Sequence, residues 1–243
     1  MVISHKYRYI YIESPMTGST AVAEELVLNY EGVRILRKHA LPFELRKEGL
    51  ILEDYFVFTN TRNPLDRIVS VYLKTLNNHN NKYSHNTYTG LLGKLFFFRM
   101  NRRYRKVISD STFHEFIKDI PIYDEQLRLY IDQCVKVIRF ETLVDDFAEV
   151  IKFLGLKLVR PLPVRNPTDG KKSFVTYYDA PHIKKEAIRK LGPYMSRSFY
   201  TFPPDWESFR PSLISIILFH LLGIFRFISW RVLRPHIAET RGI

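Results

Sequence analysis

The feature that most constrains this chain is a repeated order of short hydrophobic strand, polar turn and amphipathic helix. Tyr7–Glu13 is rich in Tyr and Ile and predicts a strand, the turn cluster Ser14–Thr20 follows at once, and Ala21–Asn29 has the apolar spacing of a helix. The order recurs as a strand over Tyr55–Asn60 and a helix over Pro64–Leu76. Alternation of this kind predicts an α/β fold whose central parallel sheet is covered by helices on both faces.

The length and composition fit one folded domain with a hydrophobic core. Hydrophobic residues make up 46% of the 243 residues and aromatic residues 14%, which is enough apolar surface for a core. Cys134 is the single cysteine, so no intrachain disulfide can form. Residues 1–11 lack the apolar run of a signal peptide, and we expect a cytoplasmic protein. We divide the chain into a domain over residues 1–205 and a hydrophobic, basic extension over residues 206–243.

The formal charge of +12 requires a partner of opposite sign. Nucleic acid, an anionic membrane surface and a multiply charged small ligand all satisfy this requirement, and composition does not choose among them. The chain has no recognisable nucleic-acid module, so we expect no nucleic-acid partner. His79, His85 and His114 have no metal-ligand spacing, so we also expect no metal.

The first turn, Ser14–Thr20, is a candidate anion site. Its backbone N–H groups, the hydroxyls of Thr17, Ser19 and Thr20, and the start of the next helix can converge on a phosphate. The turn lacks the Gly-Lys-Ser/Thr ending of the nucleoside-triphosphatase loop. An ordinary βα connection is the alternative, because such turns use Gly and Ser in any α/β sheet.

The second strand and helix carry another candidate pair. The strand delivers Arg62 to its carboxyl end, and Ser70 lies about two turns into the helix. The guanidinium and the hydroxyl can grip one phosphate together. A surface Arg and an ordinary helix Ser remain the alternative for each residue taken alone.

Together these segments resemble the sulfotransferase family, which transfers the sulfuryl group of 3′-phosphoadenylyl sulfate (PAPS) to an acceptor. In that family a P-K-[TS]-G-[ST]-T-like loop binds the 5′-phosphosulfate. The corresponding residues here are Pro15, Met16, Thr17, Gly18, Ser19 and Thr20. The family's Arg-Asn-Pro segment, with a Ser eight residues after the Arg, binds the 3′-phosphate and is matched by Arg62 and Ser70.

The resemblance continues to about residue 204. Val137–Leu143 and Phe153–Leu156 are similar to the family's "R-[FY]-E-x-L … F-L-G-L" strand and helix, and Asn166–Phe174 is similar to its late basic loop. The resemblance therefore implies a P-loop-like sulfotransferase fold of the carbohydrate-type or bacterial branch. It also implies that Lys171 and Lys172 of the basic loop bind the 3′-phosphate.

One position departs from the family pattern. The loop lysine that follows the Pro is Met16 here. Losing a cation beside the leaving group costs on the order of a few kcal/mol of transition-state stabilisation in a dry site. Lys38 is the first candidate to replace it, with Arg34 and Arg37 as further candidates. An ordinary solvated role for Lys38 is the alternative.

His39 is the best candidate general base. An imidazole with a pKa near ~6.5 can accept the acceptor's hydroxyl proton at neutral pH, and related sulfotransferases place a His or Glu after the first helix. A surface or capping His is the alternative, and Glu13 and Glu44 are weaker candidates. The resemblance implies a carbohydrate or glycolipid acceptor. Two other functions stay open: a catalytically silent, nucleotide-binding membrane adaptor, and another nucleotide-dependent transferase or kinase.

The C-terminal extension predicts one strongly apolar helix. The charge-free run Pro211–Phe225 is shorter than the roughly 18–20 residues of a spanning helix. Arg226, Trp230, Arg231 and Arg234 suit a helix that lies in the interface of an anionic leaflet. We therefore expect peripheral contact with the inner membrane face through residues 211–234. A helix packed on its own domain or on a homodimer partner, and a spanning helix with snorkelling arginines, are the alternatives.

Overall fold

The structure is a computed structural model of the whole chain. Its tertiary contacts divide the chain into two compact units, which we describe separately: unit 1 comprises Met1–Asn63 and Leu127–Pro167, and unit 2 comprises Pro64–Gln126 and Thr168–Ile243. The predicted boundary between residues 205 and 206 stays a prediction. The described residues are 1–88, 90–109, 112–120, 131, 134–206 and 210–232.

Unit 1 contains a five-stranded sheet with the strand order β3-β1-β2-β4-β5. The strands are β1 Val2–Ser4, β2 Tyr9–Ile12, β3 Val33–Arg34, β4 Phe56–Thr61 and β5 Lys136–Arg139. β2, β4 and β5 are parallel neighbours, whereas β1 is antiparallel to both β2 and β3. The expectation of a parallel sheet is therefore wrong for β1. The reason is its four-residue link to β2, because a parallel pair needs a crossover of about a dozen residues.

Eight α-helices are found in the part of the chain that the structure describes. They are α1 Ser19–Asn29, α2 Pro42–Lys47, α3 Pro64–Leu76, α4 Gly90–Ile108, α5 Phe113–Asp119, α6 Leu143–Phe153, α7 Pro181–Arg197 and α8 Leu213–Val232. The first helix, α1, begins two residues before its predicted start, and α3 has its predicted bounds.

The core of unit 1 lies between one face of the sheet and the helices α1 and α6. Tyr9, Tyr11 and Phe58 alternate on that face of the sheet, as the two-residue period of a strand requires. The helix residues that pack with them are Val22, Leu26, Phe147, Val150 and Ile151. This packing brings the start of α1 to the carboxyl end of β2, which is where ligands bind in open α/β sheets.

Unit 2 is helical and is organised around α3. This helix contacts α4, α5 and α7, and most of its side chains are buried. The Tyr178 hydroxyl, also buried, donates a hydrogen bond to the Leu65 carbonyl at 3.0 Å. Burial raises the pKa of Tyr178 well above its usual value.

Helix α8 contacts α7 and exposes a broad apolar side. Ser215 and Phe219 are buried, and Gly223 is half-buried. The exposed large apolar residues are Leu213, Ile214, Ile217, Leu218, Leu221, Ile224, Phe225 and Ile228. A helix that rests on a domain and faces water has the opposite arrangement. None of the described helices is both long enough and apolar enough to cross a bilayer.

Candidate functional site

The connection between β2 and α1 favours glycine at position 18. Gly18 precedes the helix with φ +79°, a conformation that L side chains rarely adopt. A Cβ at this position would lie 2.7 Å from Leu143 Cδ2 of α6. Because Gly18 has no side chain, nothing at this position covers the backbone N–H groups at the start of α1.

Three side-chain hydrogen bonds hold the loop in one shape. The Thr17 hydroxyl donates to the Ser14 carbonyl at 2.8 Å, and Asn60 Nδ2 donates to the Thr17 carbonyl at 3.1 Å. Arg62 Nη1 donates to the Met16 carbonyl at 3.1 Å. These contacts satisfy loop carbonyl oxygens, which would otherwise repel an anion. The Thr17 proton is used inside the loop, so in this conformation the hydroxyl braces the loop.

The Arg62 guanidinium is fixed from two directions. Arg62 is only 7% exposed, and its guanidinium carbon lies 4.1 Å from the centre of the Phe140 ring. The next residue, Asn63, donates its backbone N–H to the Glu141 carboxylate at 2.8 Å. The sequence motifs include Phe140 but did not predict its contact with Arg62 or the bond from Asn60 to Thr17, since no local pattern shows a partner more than 40 residues away along the chain.

Among the three candidate replacements for the loop cation, Lys38 bonds to the predicted phosphosulfate loop itself. Its Nζ donates to Thr20 Oγ1 at 2.8 Å, which places the ammonium at the first turn of α1. Arg37 is ion-paired with Glu44 at 2.8 Å, and Arg34 reaches the Glu13 carboxylate at 3.5 Å. Lys38 therefore adds positive charge where the helix dipole is also positive.

His39 is held beside the first residue after β2. Its Nδ1 lies 2.7 Å from the Glu13 carbonyl oxygen. A carbonyl only accepts, so Nδ1 carries the proton and Nε2 is the basic nitrogen of the neutral ring. The backbone φ at this half-buried position is +60°, which is uncommon for residues other than glycine. The hydrogen bond to Glu13 fixes the orientation of the His39 ring, as a general base requires.

The two weaker carboxylate candidates have structural partners. The buried Glu13 carboxylate takes part in the ion pair with Arg34. Glu44 accepts the Leu41 backbone N–H at 2.8 Å at the start of α2, in addition to its ion pair with Arg37. Their local geometry gives both carboxylates roles in holding the segment around His39.

The remaining predicted site residues lie in unit 2. Ser70 is fully buried in α3, and Lys171 is ion-paired with Asp66, in the first turn of the same helix. Lys172 is exposed. The sequence analysis did not identify Asp66 as a partner, since an acidic first-turn residue is common at any helix start. Thus Ser70 and Lys171 are both associated with the first turns of α3.

No group of three or more His, Cys, Asp or Glu side chains that could hold a metal ion is found in the described ranges.

In comparisons with known proteins, the family model described as "Sulfotransferase family" matches residues 2–201. No curated protein and no solved structure gives a significant match. Because the family model covers most of the chain, the chain belongs to the sulfotransferase family, as the order of its motifs predicted.

Proposed function

We propose that this member of the sulfotransferase family transfers the sulfuryl group of PAPS to the hydroxyl of a carbohydrate or glycolipid. The observation that carries the proposal is the braced loop of residues 15–20 with Lys38 bonded to its last residue. Backbone N–H groups at a helix start and one adjacent ammonium form a set of donors that fits a phosphosulfate. The reaction is an in-line displacement in which the acceptor oxygen bonds to sulfur and the sulfur–oxygen bond to the 5′-phosphate breaks.

Lys38 takes the role of the loop cation that Met16 does not supply. During transfer, negative charge develops on the oxygen that leaves sulfur and stays with the 5′-phosphate. The Lys38 ammonium, which is exposed in this structure, stabilises that charge, because a cation already placed where negative charge develops lowers the energy of the charged transition state. The bond from Lys38 Nζ to Thr20 Oγ1 keeps the ammonium beside the loop.

His39 takes the proton of the acceptor hydroxyl. The Glu13 carbonyl holds Nδ1, so the proton goes to Nε2 and the ring becomes an imidazolium. No covalent intermediate with the chain is needed. As the family resemblance implies, Arg62, Ser70, Lys171 and Lys172 bind the 3′-phosphate and orient the donor.

The experiment that tests donor binding is calorimetry of the full chain with 3′,5′-adenosine bisphosphate, the product that PAPS leaves. We expect saturable binding with one site per chain. Absence of binding at millimolar nucleotide would exclude the PAPS reading. Adenosine 5′-monophosphate is the control ligand, and it should bind more weakly because it lacks the 3′-phosphate.

A second candidate function is a nucleotide-binding membrane adaptor without catalysis, and Met16 is the observation that favours it. An assay that follows sulfate transfer from PAPS to a panel of sugars and glycolipids separates the two functions. Nucleotide binding without transfer to any acceptor would support the adaptor. Phosphate transfer from ATP in the same assay would instead support a kinase, although the loop lacks the Gly-Lys-Ser/Thr ending.

We also propose that α8 places the enzyme on the inner membrane face from the cytoplasmic side. The exposed side of α8 is apolar, and that side suits the headgroup and acyl boundary of a leaflet. Replacing Ile217, Leu221 and Ile224 together by Ser should reduce flotation of the full chain with vesicles. Unchanged flotation combined with dissociation of a dimer would instead identify this side of α8 as a homodimer interface.

A further inference from the structure

We propose that the exposed side of α4 is a second membrane-docking surface, which binds bilayers that contain anionic lipids. The surface is defined by Leu91, Leu95, Phe98, Arg102 and Arg105. It shares no residue with α8 or with the set of residues assigned to sulfate transfer. The inference is therefore independent of the reaction proposed above.

The charge distribution along the chain singles out this region. Residues 67–109 contain nine Lys or Arg residues and no Asp or Glu, against a net charge of +12 for the whole chain. Six of the nine lie in α4. Most of the excess positive charge is thus concentrated in one segment whose own sequence holds no carboxylate, although Lys106 pairs with Asp119 of α5.

The inner side of α4 is attached to unit 2. Gly93 and Val107 are buried, and the Tyr104 ring stacks on Tyr83 with centroids 6.2 Å apart. Asn101 Nδ2 also donates to the Tyr83 carbonyl at 2.8 Å. These contacts fix which side of the helix faces away from the unit.

The outer side presents one stripe whose character changes along the helix. Leu91, Leu95 and Phe98 are 83%, 55% and 62% exposed, and they occur at the spacing of one helical face. The same face continues with Arg102 and Arg105, which are also exposed. An apolar half that inserts and a basic half that stays at the headgroups match the two layers of an anionic leaflet.

A bilayer fits this stripe better than the other anionic or apolar partners do. A second copy of the chain would bring two strongly basic segments together, and like charges repel. A nucleic acid would match the arginines but would leave the three large apolar side chains in water. An anionic leaflet satisfies both halves of the stripe at once.

The experiment is flotation of the full chain with vesicles of phosphatidylcholine alone or mixed with phosphatidylserine. We expect wild-type binding to the mixed vesicles and a decrease of roughly 25-fold in R102Q/R105Q, since each of the two Arg residues near an anionic surface adds about a fivefold attraction. L95Q/F98Q should decrease binding to both vesicle types. R102K/R105K should bind like the wild type, because the attraction depends on charge.

Matched controls come from exposed residues of unit 1. K152Q/K157Q removes the same charge as R102Q/R105Q, and V135Q/V164Q removes exposed apolar side chains. Both controls should float like the wild type. Thermal melts check the fold, and calorimetry with 3′,5′-adenosine bisphosphate should be unchanged in every α4 variant whether or not that nucleotide binds.

Three results would overturn the proposal. Wild-type chain that floats with neither vesicle, or α4 variants that float like the wild type, would remove lipid as the partner of α4. Equal losses in the unit 1 controls would show that only net charge matters. A dimer that α4 variants dissociate without changing flotation would assign the stripe to a second copy.

Discussion

The cations beside the β2–α1 loop and the cations of α4 differ in how they are held. Arg62 is nearly buried between the Met16 carbonyl and the Phe140 ring, and Lys38 is bonded to Thr20. Arg102 and Arg105 instead extend along an exposed stripe. A cation fixed at one point favours one phosphate group in one orientation. Cations displayed in a row favour any anionic surface, so the same charge serves two kinds of recognition.

The change expected to separate the two regions most strongly is His39→Ala. Removing a general base lowers turnover by about 10²–10⁴-fold, while nucleotide binding and vesicle flotation should stay unchanged. Sulfate transfer measured from single-turnover kinetics checks the effect.

The matched control is His85→Ala, at an exposed position outside the site. It should retain wild-type turnover. If His39→Ala turned over substrate at the wild-type rate, His39 would have no part in proton transfer.

Arg62→Lys tests whether the held cation recognises by geometry as well as by charge. A lysine keeps the charge but loses the paired donors and the planar contact with Phe140. We expect the affinity for 3′,5′-adenosine bisphosphate to fall by roughly 10–100-fold, since hydrogen bonds to charged groups contribute about 1.5–3 kcal/mol. Calorimetry gives the dissociation constant directly.

The control for that change is Arg46→Lys, because Arg46 is exposed and pairs with Glu53 at the surface. Its nucleotide affinity should equal that of the wild type. Equal affinities for Arg62→Lys and the wild type would mean that charge alone binds the 3′-phosphate, as we propose for the lipid contacts of α4.

Lys38→Ala and Met16→Lys should change turnover in opposite directions. The first removes the cation beside the loop, and the second restores one at the family's usual position. We expect changes of about tenfold each, smaller than in a dry site because Lys38 is exposed, and a double variant close to the wild type, since either ammonium can stabilise the leaving oxygen. Lys152→Ala is the control. A double variant as slow as Lys38→Ala would show that position 16 cannot place its ammonium on the substrate.

The smallest expected effect is a difference in salt dependence between the two regions. Screening is strong beyond the Debye length of about 10 Å at 0.1 M salt and acts least on buried groups. Added salt should therefore weaken vesicle flotation more than nucleotide binding in parallel titrations. A steeper salt dependence for nucleotide binding than for flotation would contradict the proposed difference between the fixed cations at the loop and the exposed cations of α4.

Local sequence patterns predicted most of the elements that surround the site. The strand before the loop, helix α1 and helix α3 were each expected within a few residues of where they occur, because apolar periodicity and turn residues act over short stretches. The antiparallel β1 was not expected. Three residues are too few to show a period, and their pairing with Tyr9–Tyr11 depends on the turn between them.

The sequence nominated the residues of the candidate site but not their contacts. The loop and Arg62 were nominated by motifs that are continuous in sequence, and Lys38 and His39 by their place after the first helix; their roles stay predictions. Their supports were not recognisable, since Asn60, Phe140 and the Glu13 carbonyl meet them only after folding. The apolar character of α8 was also visible in advance, whereas the side that packs on α7 was not.

The sequence by itself determined the α/β class, the family and the residue types at the loop, because these depend on short-range order along the chain. Only the tertiary structure decided which cations are fixed by hydrogen bonds and stacking and which lie on an exposed helix face. Burial, stacking and hydrogen bonding are properties of residues brought together from distant positions. Arg62 and Arg102 have the same chemistry in the sequence, and their surroundings after folding make one a phosphate ligand candidate and the other a lipid contact candidate.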